Sequence, residues 1–328
     1  MPASPRFWRH GSSRLLLALL SPLAAITRRY TARRVARPGW RAPVPVICCG
    51  NVTVGGAGKT TLALDIAARL TARGVPVHIL LRGYGGSSRG VRRVHPNDPA
   101  SLVGDEALLL AAIAPTWIGA DRAASARAAL AAGAQALVMD DGLQNPTLQK
   151  TLSLLTIDGA FGFGNGRVLP AGPLREPVTA GAARCQAAIL IGPDLTGAER
   201  LLPLGLPVLR ADLVPGPEIR LHTGKSVLAF AGIASPNKFF NGLEQAGVGL
   251  AERFAFPDHH PFTERELQRI IAQAQKLRIR PVTTPKDATR LPAKLRAEFD
   301  VIGVTLQWQD PAEIEALISA LPWPKPLA

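Results

Sequence analysis

Short apolar runs alternate with helical stretches from residue 44 onward. The runs predict strands at residues 44–50, 75–81, 117–119, 136–139, 152–157 and 188–191. Apolar residues at near-helical spacing, such as Leu62, Ile66 and Leu70, predict helices at residues 60–73, 105–113 and 122–132. Strands that are apolar along their whole length are typical of a parallel sheet covered on both faces. We therefore predict an α/β fold with a mostly parallel sheet.

A Pro-Gly-Pro sequence at residues 215–217 predicts a domain boundary. A second, smaller α/β unit is predicted beyond it, with strands near residues 227–230, 281–284 and 301–305. Its helices have clear start signals: Thr263 and Glu266 form a capping box, and Asp310 precedes the last helix.

The N-terminal segment carries an apolar run, LLLALLSPLAAI at residues 15–26, between arginines. A helix that spans a bilayer needs about 20 apolar residues, so this run is too short. Basic flanks with Phe7, Trp8 and Tyr30 nearby are typical of a segment that lies in the membrane surface. A core helix with a basic end and a cleavable secretory signal are the alternatives, the latter disfavoured by arginines directly after the run.

The distribution of charge and the number of cysteines limit the classes of partner and of metal site that this chain could have. The 328 residues carry a net charge of +14, and no aspartate or glutamate precedes Asp65. This asymmetry predicts an anionic partner, either a membrane or a nucleic acid. Only 5% of residues are aromatic, which disfavours single-stranded nucleic acid. The three cysteines exclude a disulfide scaffold and lack the spacing of a zinc or iron–sulfur site.

The sharpest local motif is GNVTVGGAGKTT at residues 50–61, between a predicted strand and a predicted helix. Its glycines let backbone N–H groups turn toward phosphate oxygens, and the helix dipole favours the same anion. The usual first glycine of G-x-x-x-x-G-K-[ST] is replaced by threonine, but the strand–loop–helix context is correct. Lys59 is predicted to reach the β- and γ-phosphates of ATP, and Thr60 to bind Mg²⁺. The predicted nucleotide-binding residues are Thr53, Val54, Gly55, Gly56, Ala57, Gly58, Lys59 and Thr60.

Carboxylates suited to a Mg²⁺ site follow the strand at residues 136–139. Asp140 and Asp141 stand at the strand end that faces the ligand crevice of an open parallel sheet. An ordinary Asp-Asp-Gly turn is the alternative. Asp105 and Glu106 begin a predicted helix, where acidic residues also complement the helix dipole.

Two further segments point to function. The sequence Asp258–His259–His260 stands at an element boundary of the second unit, where a histidine could orient a base across the cleft. Residues 159–177 are rich in Gly, Pro and Arg and too long for a simple connection, so we predict a functional loop.

The order and spacing of these motifs resemble the tetraacyldisaccharide 4′-kinase family over nearly the whole chain. Each motif is weak alone, whereas the series is specific. The series is GNVTVGGAGKT, RGYGG (82–86), GDEALLL (104–110), DDGLQ (140–144), GRVLPAGPLREP (166–177), FPDHHPF (256–262) and TTPKD (283–287).

The resemblance implies transfer of the ATP γ-phosphate, with Mg²⁺, to the 4′-hydroxyl of a tetraacyldisaccharide 1-phosphate, giving lipid IVA in lipid A biosynthesis. It implies a monotopic or peripheral protein on the cytoplasmic face of the bacterial inner membrane. Its partners would be the acylated lipid and the membrane surface, with no nucleic acid and no obligate protein partner. The expected parts are a membrane-associated helical segment (1–40), a P-loop kinase domain (41–215) and a smaller α/β domain completing the cleft (216–328).

The resemblance also implies roles for single residues. Asp105 would act as catalytic base with His259, and Lys59 would act on the transferring phosphate. The implied metal residues are Thr60, Glu106, Asp140 and Asp141, and the implied substrate-binding residues are Gln144, Arg167 and Arg175.

Three positions depart from the family pattern: Pro285 replaces the usual Glu, Asn145 a frequent His, and Thr61 a common Pro. None of them coincides with an implied site residue. Two rival functions stay open. One is a membrane-associated P-loop ATPase that switches conformation, and the other is a nucleic-acid-binding NTPase.

Overall fold

The computed structural model describes residues 5–8 and 14–323. Within these residues the chain forms two sheets with helices packed against them. The strands are β1 (Val46–Gly50), β2 (Val77–Leu81), β3 (Arg92–Arg93), β4 (Thr116–Ile118), β5 (Ala136–Asp140), β6 (Leu152–Asp158), β7 (Ala187–Ile191), β8 (Val208–Pro215), β9 (Ser226–Ala231), β10 (Gly249–Ala255), β11 (Arg280–Thr283), β12 (Asp300–Val301) and β13 (Val304–Trp308). The helices are α1 (Arg14–Val35), α2 (Lys59–Ala72), α3 (Ala100–Val103), α4 (Asp105–Ala111), α5 (Arg122–Ala131), α6 (Val178–Ala182), α7 (Pro236–Gln245), α8 (Glu264–Leu277), α9 (Pro285–Ala288) and α10 (Pro311–Ser319).

The larger sheet has the strand order β13-β8-β7-β6-β1-β5-β2-β4-β3. All neighbours pair in parallel except the two edge strands, β3 and β13, which are antiparallel to their partners. Strand β1 lies in the middle of this order, so its carboxyl end lies at the centre of the edge formed by the carboxyl ends of the parallel strands. The α/β fold class with a mostly parallel sheet is therefore confirmed.

Both faces of the larger sheet are buried, which explains the continuous apolar strands. In β1, Ile47 and Cys49 pack into the core on one face, and Val46 and Cys48 pack into the core on the other. Because successive side chains of a strand point to opposite faces, a strand covered on both sides needs apolar residues throughout.

The smaller sheet has the order β10-β9-β11-β12, with all pairs parallel. The single strand predicted at residues 301–305 is wrong, because the chain changes sheets within it. Strand β12 ends the smaller sheet, Ile302 is buried in the smaller unit's core, and β13 then pairs with β8 of the larger sheet. The segment expected as one C-terminal domain, 216–328, is thus divided between the two sheets.

Helix α1 extends well beyond the apolar run from which it was predicted, and it contains Pro22. No helix among the described residues is both long enough and apolar enough to cross a membrane. Ala24 packs against the core of the larger unit, so the helix is attached along part of its length.

Candidate active site

The P-loop connects the end of β1 to the start of α2. Gly58 precedes the helix with φ of 82°, a conformation that an L side chain rarely adopts. Lys59 is 9% exposed, and its Nζ donates to the carbonyl oxygen of Gly55 at 3.1 Å. The ammonium therefore curls back over the loop, where bound phosphates are expected.

The Gly/Pro-rich loop at residues 159–177 packs against the P-loop. The Val54 N–H donates to the carbonyl of Pro173 at 2.9 Å, and the Arg175 N–H donates to the carbonyl of Val52 at 2.7 Å. These bonds attach the loop to the first half of the P-loop.

Asp140 ends β5 beside the start of α2. Its Oδ2 accepts a hydrogen bond of 2.9 Å from the Thr60 hydroxyl, and its Oδ1 is buried with no hydrogen-bond partner among the described residues. Burial, together with the negative charges of Glu106 and Asp141, raises the pKa of Asp140 to about 7. A buried carboxylate oxygen without a partner is costly unless a cation compensates it.

The carboxylate of Asp141, unlike that of Asp140, is paired with Arg175. The two guanidinium nitrogens lie 2.7 and 2.9 Å from Oδ1 and Oδ2, a bidentate pair. Burial acts to raise the pKa of Asp141, but the charges of Lys59 and Arg175 outweigh it and leave the pKa lowered. The structure therefore distinguishes the two adjacent aspartates that the sequence treats alike.

The expected substrate residues have different surroundings. Gln144 donates to the Asn51 carbonyl and to Glu176 Oε1, both at 2.8 Å, and Arg175 Nη1 lies 3.3 Å from Gln144 Oε1. Gln144 and Arg175 thus support the loops around Asp141. Arg167 is exposed, and within the described part of the chain its side chain makes no hydrogen bond or ion pair.

Asp105 and His259 meet across the two units. Asp105 is the first residue of α4 in the larger unit and is 5% exposed, and its Oδ1 accepts the Glu106 N–H at 3.0 Å. The Nδ1 of His259, from the smaller unit, lies 2.9 Å from Asp105 Oδ2. His259 has φ of 60°, and its N–H donates to the Gly232 carbonyl at 3.1 Å. This left-handed residue turns the imidazole toward the larger unit.

Two basic residues complete this cluster. Lys286 Nζ lies 3.5 Å from Asp258 Oδ1 and 3.9 Å from both Asp105 Oδ2 and Glu106 Oε1. Arg290 donates to the carbonyls of His260 and Gly232, each at 3.0 Å, and pairs with the buried Asp287. Lys286 belongs to the TTPKD motif, whereas no sequence pattern singled out Arg290.

These cations set the ionisation of Asp105. Burial acts to raise the pKa of Asp105, but the hydrogen bond from His259 and the charges of Lys286 and Arg290 outweigh it, so the pKa lies below its ordinary value. Asp105 is therefore a carboxylate at neutral pH, able to accept a proton. Glu106 differs, since burial raises its pKa despite the opposing charge of Lys286.

Comparisons with known proteins find relatives along nearly the whole chain. A family model described as tetraacyldisaccharide-1-P 4′-kinase matches residues 14–322. The chain is 56% identical over 316 residues to a tetraacyldisaccharide 4′-kinase of Gluconacetobacter diazotrophicus, covering 96% of this chain and 97% of that relative. It is 51% identical over 325 residues to the enzyme of that name in Rhodospirillum centenum, covering 97% and 96%.

A solved structure shows the same fold. The crystal structure of LpxK from Aquifex aeolicus in complex with ATP matches with a TM-score of 0.73 and 25% identity, covering 93% of this chain and 98% of that one. A full-length family match, relatives about half identical and a shared fold lead to one conclusion. The chain belongs to the tetraacyldisaccharide-1-P 4′-kinase family.

Proposed function

We propose that this protein transfers the γ-phosphate of ATP to the 4′-hydroxyl of a tetraacyldisaccharide 1-phosphate. The observation that carries the proposal is the Asp105–His259 pair, because a switch ATPase needs no base for a sugar hydroxyl. The charge of Glu106 helps to raise the pKa of Asp140, and Lys286 contacts both Glu106 and Asp105. The pair is therefore connected to the P-loop by a short chain of charged groups.

Each of these residues has a separate role in the proposed reaction. Lys59 neutralises charge on the phosphoryl group, and Asp105 accepts the proton of the attacking hydroxyl. Each carboxylate oxygen has two acceptor sites, so the bonds from Glu106 and His259 leave Asp105 able to take that proton. His259 fixes the orientation of the carboxylate from the other unit. Arg167 is free to meet the anionic headgroup, whereas Arg175 acts by holding Asp141.

Mg²⁺ fits the pair Asp140 and Thr60. The buried, unpartnered Oδ1 of Asp140 is a hard oxygen ligand next to the Thr60 hydroxyl, while both oxygens of Asp141 are engaged by Arg175. The ion would supply charge neutralisation on the β- and γ-phosphates. Among the described residues no group of three or more His, Cys, Asp or Glu side chains could hold a metal alone, so phosphate and water oxygens would complete the shell. Glu106 and Asp141 would then act through charge.

Transfer of labelled γ-phosphate tests the proposal directly. The wild-type protein is expected to label a tetraacyldisaccharide 1-phosphate acceptor and to turn over little ATP without it. ATP hydrolysis that proceeds equally well without the acceptor, with no label in the lipid, would instead support the conformational-switch ATPase.

Helix α1 is suited to bind a membrane surface. One stripe of large apolar side chains, spaced by three or four residues, is 52–81% exposed, comprising Leu15, Leu19, Leu23, Ile26 and Tyr30. Exposed arginines follow in the second half of the helix, at Arg28, Arg29, Arg33 and Arg34. An apolar stripe with basic neighbours binds anionic bilayers in the plane of the interface. This surface supports membrane binding, and from it together with the family membership we propose that the membrane is the inner membrane, at its cytoplasmic face.

Removing apolar contact from the stripe is expected to release the protein from vesicles. The double variant Leu19→Gln/Ile26→Gln should bind phosphatidylglycerol vesicles at least about tenfold more weakly, since burying such a side chain is worth about 1.5–3 kcal/mol. Co-sedimentation measures this. The matched control Leu221→Gln/Leu277→Gln changes two exposed leucines of the smaller unit and should bind normally. Equal binding of both double variants would place the membrane contact elsewhere.

A further inference from the structure

A pocket of about 290 Å³ lies at the end of α1, apart from the phosphoryl-transfer site. The residues that matter for its chemistry are Val35, Arg37, Asn145, Lys150, Ser153 and Arg184. None of the residues assigned above to ATP, Mg²⁺ or the acceptor lines it. It is therefore a separate cavity, which the proposed reaction does not use.

The pocket carries an excess of positive charge. Arg37, Lys150 and Arg184 line it, and no carboxylate does so among the described residues. The nearby Glu176 pairs with Arg184 through hydrogen bonds of 2.9 and 2.7 Å. This bidentate pair compensates one of the three cations. Within the described part of the chain, neither Arg37 nor Lys150 forms an ion pair with a carboxylate.

Lys150 is the most informative of the three because it is half-buried. Its ammonium donates to the carbonyl oxygen of Asn145, although an ammonium has three donors. Burial, and after it the charge of Arg184, lowers the pKa of Lys150 against the opposing effects of Cys48 and Glu176. A partly desolvated cation with unused donors is costly unless an anion compensates it.

The size and the donors indicate the class of ligand. A cavity of about 290 Å³ is at the small end of ligand pockets, which span about 300–1,000 Å³, and is too small for an acylated disaccharide. An Arg side chain and a Lys ammonium together are typical of a phosphate site. We propose that this pocket binds a phosphate group, supplied either by the headgroup of an anionic glycerolipid or by free inorganic phosphate. Only the lipid source rests on the membrane contact proposed for α1.

Direct binding measurements distinguish the two sources. The full-length protein, with a non-hydrolysable ATP analogue and Mg²⁺ occupying the P-loop, is titrated calorimetrically with inorganic phosphate or with monomeric dihexanoylphosphatidylglycerol. Lipid affinity about tenfold or more above that of phosphate identifies a headgroup site, and equal affinities identify a site for free phosphate. If neither probe binds the wild-type protein, the proposal is overturned.

Variants locate the binding. Arg37→Gln/Lys150→Gln is expected to weaken binding of the tighter probe by about tenfold or more, through lost charge-assisted hydrogen bonds. The matched control Arg269→Gln/Lys276→Gln removes the same charge from exposed positions of α8 and should leave binding unchanged. Equal losses of affinity in both double variants would mean that the probe is attracted non-specifically by positive charge. Unchanged affinity in Arg37→Gln/Lys150→Gln would show that the probe does not bind in this pocket. If Lys150→Gln prevents folding, the single variant Arg37→Gln, at an exposed position, tests the proposal instead. It is expected to weaken binding of the tighter probe several-fold.

The kinase reaction provides an independent readout. The wild-type protein could fail to transfer phosphate to the disaccharide while phosphate or lipid still binds this pocket. That result would contradict the proposed function and support the anion site. If phosphate transfer succeeds and neither probe binds, only the proposed anion site is contradicted.

Discussion

Alanine substitutions at Asp105 and His259 are expected to lower kcat strongly, and the losses should not multiply. A sugar hydroxyl is a poor nucleophile, and a positioned general base typically contributes about 10²–10⁴ in rate. The 2.9 Å contact between Asp105 and His259 makes the two side chains one unit, and residues that act as a unit give non-additive losses. The double variant should therefore be little slower than the slower single variant.

Single-turnover phosphate transfer at saturating ATP, combined with ATP affinity, measures this cycle. ATP affinity should be largely retained, because neither side chain belongs to the P-loop. The neighbouring His260 provides a matched control, since its ring stacks on Phe256 and bonds Glu266 Oε1 rather than Asp105. His260→Ala should keep most of the turnover. Fully multiplicative losses at Asp105 and His259 would show that they act independently.

Lys59→Ala is expected to remove most phosphoryl transfer while the fold persists. The Lys59 ammonium bonds Gly55 and lies 3.9 Å from Asp141, poised over the loop that would hold the phosphates. Loss of an electrostatic group of this kind typically costs about 10²–10³ in rate. Turnover of labelled acceptor, with circular dichroism as the test of folding, provides the measurement.

An exposed lysine gives the comparison for this variant. Lys225→Ala, on the smaller unit, carries the same change and should leave turnover unchanged. A folded Lys59→Ala protein with the wild-type rate would rule out phosphate binding at the P-loop.

The sequence predicted the fully buried strands well and the partly exposed strands poorly. Strands such as β5 and β6 are buried on both faces and are therefore apolar throughout, which is a pattern that needs no tertiary information. Strands β8 and β10 were missed because they are partly exposed and mix polar with apolar residues. Helix α7, at Pro236–Gln245, was also missed. For the two missed strands, pairing and burial within the sheet decide the structure more than local propensity does.

The candidate site shows the same division. The P-loop and the acidic pair could be predicted because each is contiguous in sequence. The different surroundings of Asp140 and Asp141 could not, since they depend on Arg175 from a distant loop. Arg290 was not singled out, because the carbonyls of His260 and Gly232 that it binds become its neighbours only when the smaller unit folds.

The return of the chain to the larger sheet has a mechanical consequence. The smaller unit is joined to the larger by two passages of the backbone, and the Gly216 N–H donates to the Gly303 carbonyl at 2.8 Å where they run side by side. A single linker can swivel about one bond, whereas two hydrogen-bonded passages must bend together. The two hydrogen-bonded passages therefore restrict rotation of the smaller unit relative to the larger one more than a single linker would. Such a joint favours the orientation of the smaller unit in which His259 faces Asp105 at 2.9 Å.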